Sequence, residues 1–169
     1  MGREIYCSHS FGNDHLGKLM KFVETALQGC TLIEIDRIGD NRGFFARTFC
    51  SEEFSARGLN PVAAQCSISF SAKRGTTRGL HFQRGSARED KLVRCIKGAI
   101  FDVMVDLREG SPNFGKWLGQ VLTAENNLQL HSCQGFAHGF QTLTEDCIVS
   151  YHISQPYNSE LSGGSLERP

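Results

Sequence analysis

The chain has 169 residues, 40% of them hydrophobic, which suits one domain around one core. Its 18 Lys and Arg balance 18 Asp and Glu, so no global field draws it to nucleic acid or to an anionic membrane surface. No apolar run approaches the roughly 20 residues that cross a bilayer, and seven scattered cysteines without a CxxC spacing argue against a disulfide scaffold or structural zinc.

Reduced thiols place the expected location in the cytoplasm. Residues 1–19 are polar and aperiodic and hold no apolar core of a secretory signal, so they read as a flexible N-terminal extension before a domain over residues 20–169. Residues 31–35 alternate as a strand and run into the turn Gly39-Asp40-Asn41-Arg42-Gly43. Residues 51–57 predict a short helix capped by Ser51 and stopped by Gly58. Residues 64–70 predict a strand with Gln65, Ser67, Ser69 and then Ser71 on one phase, a row that suits either a polar cavity or solvent.

Residues 91–95 and 100–106 flank Ile96-Lys97-Gly98-Ala99 and predict a tight hairpin. In its second strand Phe101, Val103, Val105 and Leu107 share one face, Asp102 and Asp106 the other. Residues 115–122 and 148–153 read as further strands. Many short strands, Gly-rich turns and almost no helix predict an all-β sandwich or barrel.

Two histidines carry the chemistry. They sit in Arg78-Gly79-Leu80-His81-Phe82-Gln83 and Gly135-Phe136-Ala137-His138-Gly139-Phe140, each read as a Gly-bounded turn beside an aromatic, and the two turns read as opposite sides of one cavity. Imidazole is the side chain whose ordinary pKa permits proton transfer near neutral pH. Metal binding fits poorly, because a His-x-His pair would be His81-Phe82-Gln83 here, and an amide is a weak ligand. Proton abstraction next to a carbonyl fits, with Arg78, Lys91 and Arg94 as nearby cations and Tyr151 as an acid for the other face. A structural role for both histidines stays open on the residues alone.

From Asp40 to about Tyr157 the sequence closely resembles the dTDP-4-dehydrorhamnose 3,5-epimerases and related nucleotide-sugar epimerases, which are metal-free cupins. The stretches that carry this are Gly39-Asp40-Asn41-Arg42-Gly43-Phe44-Phe45-Ala46-Arg47, Gly75-Thr76-Thr77-Arg78-Gly79-Leu80-His81-Phe82-Gln83 and Lys91-Leu92-Val93-Arg94-Cys95. Phe101-Asp102-Val103-Met104-Val105-Asp106-Leu107-Arg108, Leu122-Thr123-Ala124-Glu125-Asn126 and Gly135-Phe136-Ala137-His138-Gly139-Phe140 continue it.

The resemblance implies a cupin-type jelly-roll barrel, a homodimer exchanging N-terminal strands, and epimerisation at C3 and/or C5 of a dTDP-linked 4-keto-6-deoxyhexose without metal or cofactor. It makes His81 the general base and Tyr151 the proton donor. Arg42, Arg78, Lys91 and His138 match positions that bind the diphosphate or sugar, a task to which an arginine fork is suited. Arg47, Gln65 and Ser67 complete the expected binding set, with Tyr157 on the thymine ring.

Some positions depart from the pattern. Ser67 stands where the family usually has Asn, Ser132-Cys133-Gln134 lacks a Pro, and Ser162 takes the place of a ligand-contacting Glu. The sequence ends at Pro169, before the Asp that partners the base histidine in the family, so the domain is expected to be truncated at its C-terminus. Asp102 or Asp106 is the candidate replacement. The alternative function is a weakened relative that binds nucleotide sugar without turnover.

Overall fold

The computed structural model describes residues 20–164. The extension expected over residues 1–19, and residues 165–169, lie outside them. In chain order the strands are β1 (Met20–Glu24), β2 (Cys30–Ile35), β3 (Arg37–Asp40), β4 (Gly43–Ala46), β5 (Gln65–Ser71), β6 (Thr77–Gln83) and β7 (Lys91–Lys97). They continue with β8 (Ala99–Asp106), β9 (Trp117–Thr123), β10 (Leu128–Ser132), β11 (Phe136–Thr142), β12 (Cys147–Ile153) and β13 (Ser162–Gly164). The helix α1 (Ser51–Ser55) follows β4.

One sheet has the order β1-β2-β10-β7-β12-β5, a second β13-β6-β11-β8-β9, and β3-β4 form a separate hairpin. The two larger sheets close face to face as the expected jelly roll. Val93, Cys95, Leu130, Cys147 and Val149 from the first sheet meet Ile100, Met104, Leu122, Phe136 and Phe140 from the second in one buried cluster. Each large apolar side chain removed from water there contributes about 1.5–3 kcal/mol. A second cluster, Met20, Ile33, Ile35, Phe54 and Leu92, covers the other face of the first sheet beneath α1. Phe54 is the helix residue that enters it, 1% exposed. The helix is shorter than its sequence signal, and Cys50, not Ser51, occupies its N-cap without a side-chain bond.

The hairpin predicted around Ile96-Lys97-Gly98-Ala99 does not form. β7 pairs with β10 and β12, whereas β8 pairs with β11 and β9, so the two strands lie in different sheets. Gly98 makes the corner at φ 77°, packed so closely that a Cβ would lie 2.5 Å from Thr144 Oγ1 and 2.8 Å from Cys147 Sγ. The alternation of β8 holds, but its buried row is Ile100, Asp102, Met104 and Asp106, with Phe101, Val103 and Val105 half-buried on the other side. Both aspartates therefore point inward. Among the described residues, no helix is long and apolar enough to cross a membrane.

Candidate active site

The two histidine motifs are strands, not turns, and they are neighbours. β6 and β11 pair antiparallel with His81 directly opposite His138. Directly opposed residues of an antiparallel pair present their side chains on the same face, so the histidines share one wall instead of facing each other across a cavity. The pairing slips by one residue between His138 and Phe140. There the backbones come so close that a Cβ on Gly79 would lie 2.6 Å from Gly139 Cα, and one on Gly139 2.8 Å from Arg78 O. The glycines on either side of these motifs thus serve strand-to-strand approach.

His138 is 3% exposed and Asp102 fully buried, and His138 Nε2 lies 2.7 Å from Asp102 Oδ1. A buried carboxylate acts only as an acceptor, so Nε2 carries the hydrogen and the bond fixes both tautomer and ring orientation. Asp106 bonds instead to Arg108 and Ser111, and the Arg108 guanidinium holds its carboxyl below the usual range, at about 2. The replacement partner expected for His81 is thus, at Asp102, tied to His138. His81 itself is exposed, between β11 and β13, with Gly164 opposite it.

Tyr151 comes from the facing sheet. Its ring centre is 6.0 Å from that of His138 in an edge-to-face arrangement, and its Oη is 2.9 Å from Ser69 Oγ. Burial pushes the phenol up to about 12, against the opposing pull of the Ser69 bond and of Arg78. The group is therefore protonated throughout the neutral range. Ser67 lies opposite Tyr151 on β5, and the phase of Gln65, Ser67, Ser69 and Ser71 is that of the Tyr151 face. The polar row therefore shares the sheet face on which Tyr151 approaches His138.

Arg78 bridges the sheets, donating from Nε to Ser71 Oγ at 3.0 Å and from Nη2 to the Phe70 carbonyl at 3.0 Å. Among the described residues it forms no ion pair, so its charge is available to an anion. Lys91 is 7% exposed and paired with Glu89, which also accepts from Gln83 Nε2 at 2.5 Å. Gln83 Oε1 accepts from Asn158 N and Gln65 Oε1 from Tyr157 N, each at 2.7 Å. These two amides hold the loop that carries the exposed Tyr157 against one end of the barrel.

Two expected binding residues stand apart. Arg42 sits on the β3–β4 turn with its side chain 85% exposed, bonded to Asp40, which it holds below the ordinary carboxylate range. Arg47 pairs with Glu53 of α1 at 3.0 Å. Sequence reasoning missed Ser69 and the Glu89–Gln83 support of Lys91; the polar phase of residues 65–71 was the one available signal. A cavity of about 130 Å³ lined by Arg94, Gln129, Ser150 and His152 lies on strand positions of the opposite phase, so Arg94, expected as a cation near His81, faces away from the Tyr151 side. Among the described residues no three His, Cys, Asp or Glu side chains gather as a metal site.

The arrangement sets two paired imidazoles on one sheet against a protonated phenol from the other, with Arg78 and amide side chains nearby. Comparison with known proteins places the chain in a family. The family model described as dTDP-4-dehydrorhamnose 3,5-epimerase matches residues 24–166. An epimerase of that name from Sinorhizobium fredii is 43% identical over 86% of this chain and 74% of its own length. The Bacillus anthracis enzyme, solved with TDP and PPi bound, superposes with a TM-score of 0.83 at 41% identity, covering 87% of this chain and 84% of that one. The Legionella pneumophila dTDP-6-deoxy-D-glucose-3,5-epimerase, solved with dTDP-4-keto-L-rhamnose, gives 0.81 at 36% identity over 86% and 77%. The chain belongs to the dTDP-4-dehydrorhamnose 3,5-epimerase family.

Proposed function

We propose that this protein epimerises C3 and/or C5 of a dTDP-linked 4-keto-6-deoxyhexose, a step of deoxysugar synthesis. The observation that carries the reading is the juxtaposition of His81 and His138 on one sheet with protonated Tyr151 on the other. A 4-keto group acidifies hydrogens on both neighbouring carbons, and inversion needs removal from one face and return on the other. His81 takes the proton; Tyr151 delivers one from the opposite side. His138, oriented by Asp102 through Nε2, accepts a sugar hydroxyl hydrogen at Nδ1, while Arg78 and Lys91 attract the diphosphate. Gln65, Ser67 and Tyr157 supply further contacts at the barrel end.

The β3–β4 hairpin supports a homodimer. It pairs with neither sheet and exposes Ile38, Phe44 and Phe45, and β5 is an edge strand exposing Ile68 and Phe70. An isolated hairpin is marginal in water and a bare apolar edge invites pairing. A second copy covers both and receives Arg42 into its hollow. The free thiols of all six cysteines among the described residues support a cytoplasmic setting.

Incubation with dTDP-4-keto-6-deoxyglucose in deuterated water tests the reaction. Deuterium enters at C3 or C5, and His81→Gln abolishes entry while dTDP binding by calorimetry persists. Binding without label in the wild type identifies a nucleotide-sugar binder in place of an enzyme.

A further inference from the structure

We propose that Ser69 is a positioning residue for Tyr151, donating its Oγ–H to the phenol oxygen so that the phenol's own hydrogen points into the hollow. This rests on the epimerase reading. The two oxygens are 2.9 Å apart, and either can donate. Chemistry chooses the direction: a phenol that gives its hydrogen to Ser69 has none to offer a carbon.

Two features single out Ser69 from its neighbours. Ser71 already accepts from Arg78 Nε, and Ser67, directly opposite Tyr151, is exposed. Ser69 is half-buried on β5, diagonal to Tyr151 across the β5–β12 pair, where the pleat brings a short side chain to the tip of a long one. When Tyr151 gives its proton to the substrate carbon, the Ser69 hydrogen bond stabilises the phenolate that remains. Each turnover leaves one proton on His81 and one missing from Tyr151. Return of that proton through solvent restores both groups and consumes no other reactant.

The experiment follows deuterium entry and stereochemical inversion in the same reaction, for wild type, Ser69→Ala and Ser69→Thr. With the phenol misaimed, His81 still removes and returns hydrogen on its own face, so label enters without inversion. Ser69→Ala lowers inversion about tenfold, the order expected for one hydrogen bond, and leaves exchange and KM within about twofold. Ser69→Thr recovers inversion. Parallel loss of exchange and inversion, a rise in KM alone, or no change overturns the proposal. Circular dichroism and dTDP calorimetry show that both variants fold and bind. Absence of exchange in the wild type would instead reject the epimerase reading, and this inference with it.

Discussion

Asp102 occupies a position where β8 otherwise buries Ile100 and Met104, and one of its oxygens meets His138 Nε2 at 2.7 Å. A carboxylate without exposure costs several kcal/mol unless it is hydrogen-bonded, so the imidazole and the acid each depend on the other. Asp102→Asn preserves volume and removes the charge that orients the ring. Such outer partners are worth about 10- to 100-fold; kcat/KM is expected to drop by that factor, with weaker dTDP-sugar binding and the His81 exchange reaction retained. Unchanged kinetics would show that His138 needs no orientation. At this scale the sequence was informative about residue types and silent about partners. The alternation of Asp102 and Asp106 against Phe101 and Val103 was legible, yet only the closed barrel shows that the acidic row is the buried one. Ser69 was visible as part of a polar phase; its bond to Tyr151 joins residues 82 apart in sequence.

Among the elements, Gly98 decides which sheet the chain enters after β7. Its left-handed backbone at φ 77° and the 2.5 Å approach to Thr144 Oγ1 both oppose a side chain. Gly98→Ala is expected to lose about 2–4 kcal/mol, combining backbone strain with overpacking. Urea unfolding measures this as a lower midpoint at unchanged slope; an unaltered midpoint would mean the corner relaxes freely. The same glycine explains why the β7–β8 hairpin was misread. A two-residue period reports which side chains share a face, not which strand lies alongside, and Gly98 serves a tight hairpin turn and a sheet-crossing corner equally well. For β6 and β11 the error was similar. Glycines around His81 and His138 looked like turn signals, but they permit two backbones to touch at Gly79 and Gly139 and so align the histidines in register.

For the whole molecule, the proposed binding role of Arg42 calls for a second copy, because its hairpin pairs with neither large sheet. Asp40 and Arg42 bond each other at the turn, and the hairpin carries Phe44 and Phe45 at 55% and 62% exposure. Within one chain those rings cover nothing of the barrel core; in the proposed two-fold dimer each hairpin lies on the other copy. Sedimentation is expected to give twice the 18.7 kDa chain mass, and Phe45→Asp to give the monomer with the barrel still folded. Complementation then locates Arg42. A His81→Gln chain lacks the base but offers an intact hairpin, and an Arg42→Ala chain lacks the hairpin arginine but keeps the base. Their heterodimer contains one complete site if Arg42 acts on the partner. Random mixing makes half the dimers hybrid, each with one of two sites whole, so activity recovers to about a quarter of wild type. If Arg42 instead serves its own barrel, no hybrid holds a complete site, and the mixture shows only the residual activity of Arg42→Ala.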